Sequence, residues 1–382
     1  MIEISVLSAA RAAFSASYGE ARERFCAVAP SVRAYPSPAA GPGGGALATD
    51  AAWFGPKNAS NVLVSIAGTH GVEGYCGSAC QIDWMARGAH RELDPDVAAL
   101  FIHVLNPYGF AWDRRVTEEG CDLNRNFVDF TKPLPSNRGY EELAQHLVPP
   151  SLDGPEFAAA ERAIAVYRER HGEIAFQTAR KSGQYTHPAG MFFGGTAPTS
   201  ARRTLESIAA DFRLAQREKV IIIDYHTGLG PFGYGELQTE SASGMDGYQR
   251  AVSIFGSSVT SPDLGTSSSI ALHGTLDEYW EQLLGDRHTY VCLEYGTYDP
   301  ERGRRVLRQD HWLAAYRPEA LDEPLGRGIR AETRRHYSPE QDDWKEMIIS
   351  RSRQVTRRAE EWLGGVRQNI RLAGALPKSS SA

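Results

Sequence analysis

The 382-residue chain is 42% hydrophobic and 23% charged, which places it among globular proteins and excludes a disordered polyelectrolyte. Its 41 basic and 47 acidic side chains leave a formal charge of −6, so no overall electrostatic pull toward nucleic acid or an anionic membrane is expected. No apolar run approaches the ~18 residues that cross a bilayer, Met1-Ile2-Glu3-Ile4-Ser5 lacks a signal-peptide pattern, and five scattered cysteines form no disulfide framework; the expectation is a cytoplasmic protein in a reducing compartment.

In chain order, an amphipathic segment from Ala9 to Val28 predicts one covering helix, and the following Pro36, Pro38, Gly41, Pro42 and Gly43-Gly44-Gly45 predict a surface loop. Short β-rich runs follow at Asn61–Ala67, Val97–Leu105, Val220–Asp224 and Tyr290–Leu293, separated by helical periodicity over Pro155–Arg170 and Ala201–Arg217. That alternation predicts an α/β fold with a central mixed, largely parallel, twisted sheet carrying helices on both faces. Val220-Ile221-Ile222-Ile223 has no polar alternation, as expected of an interior strand buried on both sides. Residues 318–340 read as a long irregular connection before a last helix from Glu340 to Leu363. The arginine runs beyond residue 300 recur at helical spacing between acids and read as a solvated face. The chain reads as one domain over 1–372, with a motif core at about 50–310, a helical extension at about 318–372 and a disordered tail at 373–382.

Three stretches carry chemistry. Gly68-Thr69-His70-Gly71-Val72-Glu73-Gly74 follows the strand Asn61–Ala67. An imidazole and a carboxylate three residues apart on a tight turn point the same way, which suits two ligands of a tetrahedral metal. His226 ends the buried run Val220–Asp224 and is followed by Thr227-Gly228, and strand ends of α/β sheets are where ligand sites gather. Asn106-Pro107-Tyr108-Gly109, Arg114-Arg115 and Asp122-Leu123-Asn124-Arg125-Asn126-Phe127 make the third. Cys76 and Cys80 read as small buried hydrophobes on a helix, and Cys121 beside Asp122 is a poor nucleophile because the carboxylate disfavours the thiolate. A Gly-x-Ser-x-Gly elbow and a P-loop are both missing from the sequence.

The order of these motifs resembles the zinc carboxypeptidase family, most specifically in Asp122-Leu123-Asn124-Arg125-Asn126-Phe127. It is closer still to a branch of that family known chiefly as a domain of unknown function, similar in Gly183-Gln184-Tyr185 and Phe192-Phe193-Gly194-Gly195. The resemblance implies a carboxypeptidase-like fold and one Zn2+ per chain held by His70, Glu73 and His226. It implies that Asp122 orients His70, that Asn124 and Arg125 grip a substrate carboxylate, and that Arg114 or Arg115 stabilises an oxyanion. Spacing does not choose between the two arginines. Glu294, closing the run Tyr290–Leu293, matches the family's catalytic glutamate; His187 and Glu240 are the next candidates for a general base.

Gln184 and Tyr185 are expected to bind substrate. The family's mobile tyrosine is absent, because Ser269 stands at its place before Gly274-Thr275-Leu276-Asp277, which leaves Tyr185 and Tyr295 as replacements. The implied activity is hydrolysis of an amide or peptide bond next to a free carboxylate, with small peptides as substrates. The alternatives are an N-acyl amino acid deacylase of the aspartoacylase and succinylglutamate desuccinylase type, and an inactive binding protein on the same fold. Nucleic-acid and membrane partners are not expected.

Overall fold

A computed structural model describes residues 5–241 and 246–365. Its centre is an eight-stranded sheet of β1 (Arg33–Ala40), β2 (Ala46–Phe54), β3 (Asn61–Ala67), β4 (Val97–His103), β5 (Lys219–Phe232), β6 (Gly235–Gln238), β7 (Val259–Thr260) and β8 (His288–Gly296), in the order β1-β2-β4-β3-β5-β8-β6-β7. The inner strands β4, β3, β5 and β8 run parallel, and antiparallel pairings of β2 with β4 and of β6 with β8 extend the sheet on either side. The α/β mixed-sheet architecture is therefore as the sequence predicts.

Alternate residues of β5 enter different cores. Ile221 and Ile223 pack with Trp84, Phe101 and Trp344 on one face, and Val220 and Ile222 with Leu205, Trp280 and Leu284 on the other. Burial of each such isoleucine contributes about 1.5–3 kcal/mol, so an unbroken β-branched run is stable only as an interior strand. A third cluster, from the helices Arg138–Leu147, Gly154–His171 and Glu173–Lys181 together with Leu307 and Tyr337, involves no strand residue. Among the described residues no helix is long and apolar enough to cross a membrane.

Three local expectations are corrected. The segment Ala9–Val28 is two helices, Val6–Ala13 and Tyr18–Val28. Ser17 caps the second by accepting from Glu20 N–H at 3.2 Å, while Glu20 Oε2 accepts from Ala16 N–H at 2.6 Å, a reciprocal cap that starts a new helix. The Pro36 and Pro38 loop is the edge strand β1, where a proline without an N–H costs no ladder bond on the open side.

The irregular connection at 318–340 is mostly the helix Pro324–Tyr337. Pro324 occupies its first turn, where its missing N–H is free of cost, and Gly326 permits close approach, since a Cβ there would meet the backbone of Ala320 and Leu321. The last helix is Asp342–Leu363, and it adds Trp344, Ile348, Ile349 and Val355 to the core. Residues 366–372 of the expected extension and the tail at 373–382 lie outside the described residues.

Candidate functional site

The carboxyl ends of β3, β5 and β8 meet in one place. β3 ends at Ala67, and Gly68 turns the chain with φ of 68°, a conformation that favours glycine, so that His70 and the turn Gly71–Glu73 fold back over the strand ends. His226 lies on β5 directly opposite Glu294 of β8. Asp122 caps the turn Leu123–Arg125 by accepting from Asn124 N–H at 3.0 Å, which carries Asn124 and Arg125 to the same region.

Here His70 Nδ1 lies 3.1 Å from His226 Nδ1 and 3.1 Å from Glu73 Oε1, and His226 Nδ1 lies 3.1 Å from Glu73 Oε2. The outer nitrogen of His226 donates to Asp224 Oδ2 at 2.7 Å. That of His70 lies 3.0 Å from Asp122 Oδ1 and 2.8 Å from Arg115 Nη2, which compete for it. Asp224 and Glu73 flank His226 and raise its affinity for a proton well above the ordinary value despite burial, so this site, no more than 3% exposed, favours a cation among its donors.

The donor set of two imidazoles and one carboxylate, each imidazole backed by a second carboxylate, fits a divalent metal ion. His70, Glu73 and His226 could thus hold a metal. A second grouping of His226, Cys292 and Glu294 fits less well, because burial and Glu294 push the Cys292 thiol well above its ordinary pKa.

Electrostatics follow the same geometry. Burial works against ionised Glu73, yet His70, His226 and Arg115 outweigh it and hold the carboxyl well below the usual range. Burial likewise opposes the Asp122 charge, and Arg115 and His70 more than offset it. Burial and the Glu73 charge push Glu294 up to about 8; its Oε1 accepts from Leu229 N–H at 2.9 Å.

The two arginines separate. Arg115 donates to Glu73 Oε1 at 2.9 Å and to Asp122 Oδ2 at 3.0 Å and lines the pocket beside His70, whereas Arg114 donates to Asp310 at 2.8 Å and does not line it. Asn124 and Arg125 line the pocket, with Arg125 fixed by Lys181 O (3.1 and 2.8 Å) and Asn124 O (2.6 Å). Gln184 and Tyr185 do not line it: Gln184 donates to His187 O, and Tyr185 donates to Arg125 O at 2.7 Å, so both buttress the loops around Arg125. Tyr295 donates to Ile348 O, away from the pocket, and His187 pairs with Glu141 near the surface. Ser269 and Glu240 line the pocket, and burial together with Asp277 pushes Glu240 up to about 8.

The pocket has a cavity volume of about 100 Å3. Part of its wall was missed in the sequence. Tyr337 and His336, ending the helix Pro324–Tyr337, line it, with the Tyr337 carbonyl accepting from Thr227 Oγ1 at 2.6 Å. The available signal was the buried spacing Ile329, Thr333, His336 and Tyr337, masked by Gly326 and Gly328, which locally resemble helix breakers. Arg180 and Lys181, at the end of the helix Glu173–Lys181, also face the pocket.

The profile of a family described as a protein of unknown function (DUF2817) matches residues 14–351. The chain belongs to this family. No curated protein matches it. Among solved structures it is similar to carboxypeptidase A from Helicoverpa armigera, with 13% identity, 85% of this chain and 72% of that chain covered, and a TM-score of 0.43. Bovine thrombin-activatable fibrinolysis inhibitor, in complex with tick carboxypeptidase inhibitor, gives 12% identity, coverage of 91% and 98%, and a TM-score of 0.45. The succinylglutamate desuccinylase from Chromobacterium violaceum gives 15% identity, coverage of 86% and 75%, and a TM-score of 0.36. Likenesses of this degree assign neither residue nor substrate here.

Proposed function

We propose that this chain is a zinc-dependent hydrolase that cleaves an amide or peptide bond adjacent to a free carboxylate. The observation that carries the reading is the convergence of His70 Nδ1, Glu73 and His226 Nδ1 at mutual distances of 3.1 Å, with Glu294 on the neighbouring strand. Zinc held by these three residues would supply Lewis acidity, lowering the pKa of water toward ~7 and polarising a carbonyl.

The chain's own groups do the rest. Asp224 holds the outer nitrogen of His226, and Asp122 that of His70, fixing ring orientation. Glu294, a base whose affinity for a proton is raised by burial, takes the proton of the attacking water and passes it to the leaving nitrogen. Arg115, kept charged by Asp122 and Glu73 against the cost of burial, faces the oxygen on which charge develops. Arg125 uses three donors on backbone carbonyls and keeps two for a planar carboxylate. Arg114, paired with Asp310, takes a structural role.

N-acyl amino acid deacylation asks the same of these residues, with an acyl chain in place of the peptide. The test is metal content followed by hydrolysis of matched panels of C-terminal peptides and N-acyl amino acids by the purified protein. Metal-free protein, inactive on both panels after zinc is supplied, would refute the reading.

A further inference from the structure

The basic residues of the pocket wall fall into two groups. Arg115 is matched by Glu73 and Asp122, and Arg304 by Glu161 at 3.1 Å and Glu301 at 2.7 Å. Arg125, Arg180 and Lys181 have no carboxylate in ion-pair contact among the described residues. A substrate with one carboxylate on Arg125 leaves two of these unmatched.

Arg180 is only 3% exposed, donates from Nη2 to Gln177 at 2.8 Å and has no partner for its buried Nε. Lys181 lends its carbonyl to Arg125, while its side chain makes no hydrogen bond or ion pair among the described residues. Burying cations without a counter-charge is costly, and here both lie on the wall of an open pocket. Burial and the neighbouring arginines push Lys181 down to about 8, and burial with Arg304 pushes Arg180 down to about 10; an arriving anion would relieve both. Of the acids of the same wall, Glu294 accepts from Leu229 N–H at 2.9 Å, and neither it nor Glu240 makes an ion pair with Arg180 or Lys181 among the described residues.

We propose that Arg180 and Lys181 form a second anion subsite, so that the pocket takes a substrate with two carboxylates, one on Arg125 and the other on Lys181 and Arg180. The word substrate rests on the hydrolase reading above; the subsite itself does not. The Lys181 backbone clamps Arg125 while its side chain binds the second group, so the two subsites are tied through one residue.

The test is calorimetric binding of a dicarboxylate series, succinate through adipate, each against its monocarboxylate analogue, by wild type, Lys181→Met and Arg180→Met. At least one dicarboxylate should bind wild type about tenfold or more tighter than its analogue, as a charge-assisted contact requires. In Lys181→Met that ratio should fall toward one, Lys181→Arg should restore part of it, and the Tm of Lys181→Met should not fall, because an unpaired cation is removed. Equal binding of every pair by wild type, or a preference that survives in both methionine variants, overturns the subsite. Hydrolysis is read separately, on glutamyl and glutaminyl peptide pairs. A Lys181-dependent dicarboxylate preference without turnover of any peptide supports the subsite and sinks the hydrolase reading. Turnover of amides indifferent to a second carboxylate, with no binding preference, does the reverse.

Discussion

Replacing Glu294 by glutamine isolates proton transfer from every other property of the site. The side chain is isosteric, and its remaining oxygen can still accept from Leu229 N–H, now at 2.9 Å from Glu294 Oε1, so no buried group is orphaned. The like charge of Glu73, which with burial pushes Glu294 up to about 8, no longer has a partner to repel, so the variant should melt at or above the wild-type temperature. His70, Glu73 and His226 are untouched, and metal per chain should be unchanged. Positioned general base catalysis is worth about 10²–10⁴ in rate, or roughly 2.7–5.4 kcal/mol at 1.36 kcal/mol per decade. Glu294→Gln should therefore lose at least ~10²-fold in kcat with little change in KM. The assay is initial-rate kinetics on the best substrate of the panel, with metal content and Tm measured on the same preparation. Unchanged kcat at full metal occupancy would place the base elsewhere, with Glu240 the remaining acid of the pocket wall.

Wild type should carry about one zinc per chain, and His226→Ala should lose most of it, since two ligands hold zinc poorly; full retention, measured by elemental analysis, refutes the ligand set. Amidating the substrate's carboxylate should cost roughly 30- to 150-fold in kcat/KM, from about 2–3 kcal/mol for a charge-assisted contact. Arg125→Ala should cost a similar factor on the acid and little on the amide, and equal cleavage of acid and amide by wild type argues against the clamp. Glu360, pushed up to about 7 by burial, binds more protons folded than unfolded, so its contribution to stability is present below its unfolded pKa and lost as pH rises through 7. The Tm of Glu360→Gln relative to wild type should rise between pH 5 and pH 8, and a constant difference across that range refutes the assignment.

The parts of the site legible in the sequence are those set by short-range geometry. The His70 and Glu73 pair lies within one turn, His226 and Glu294 end runs apolar enough to be interior strands, and Asp122, Asn124 and Arg125 are neighbours in one capped turn. Strand period and turn closure act over a few residues, so their consequences can be read from a few residues. The choice between Arg114 and Arg115 cannot, because Asp310, on the helix Pro300–Tyr316, draws one guanidinium away from the pocket. Gln184 and Tyr185 sit in a recognisable motif, yet Gln184 is held by the carbonyls of His187 and Met191 and Tyr185 by that of Arg125. Tyr337 reaches the pocket from a helix whose glycine reads locally as a breaker and globally as a point of close approach. The unmatched charges of Arg180 and Lys181 depend on which carboxylates fail to come near. The sequence by itself determined the four inner strands and the turns that carry the candidate donors, since hydrophobic period and turn chemistry are local. Only the tertiary structure decided which side chains face the pocket and which charges go unpaired, because orientation and electrostatic balance are sums over neighbours far apart in the chain.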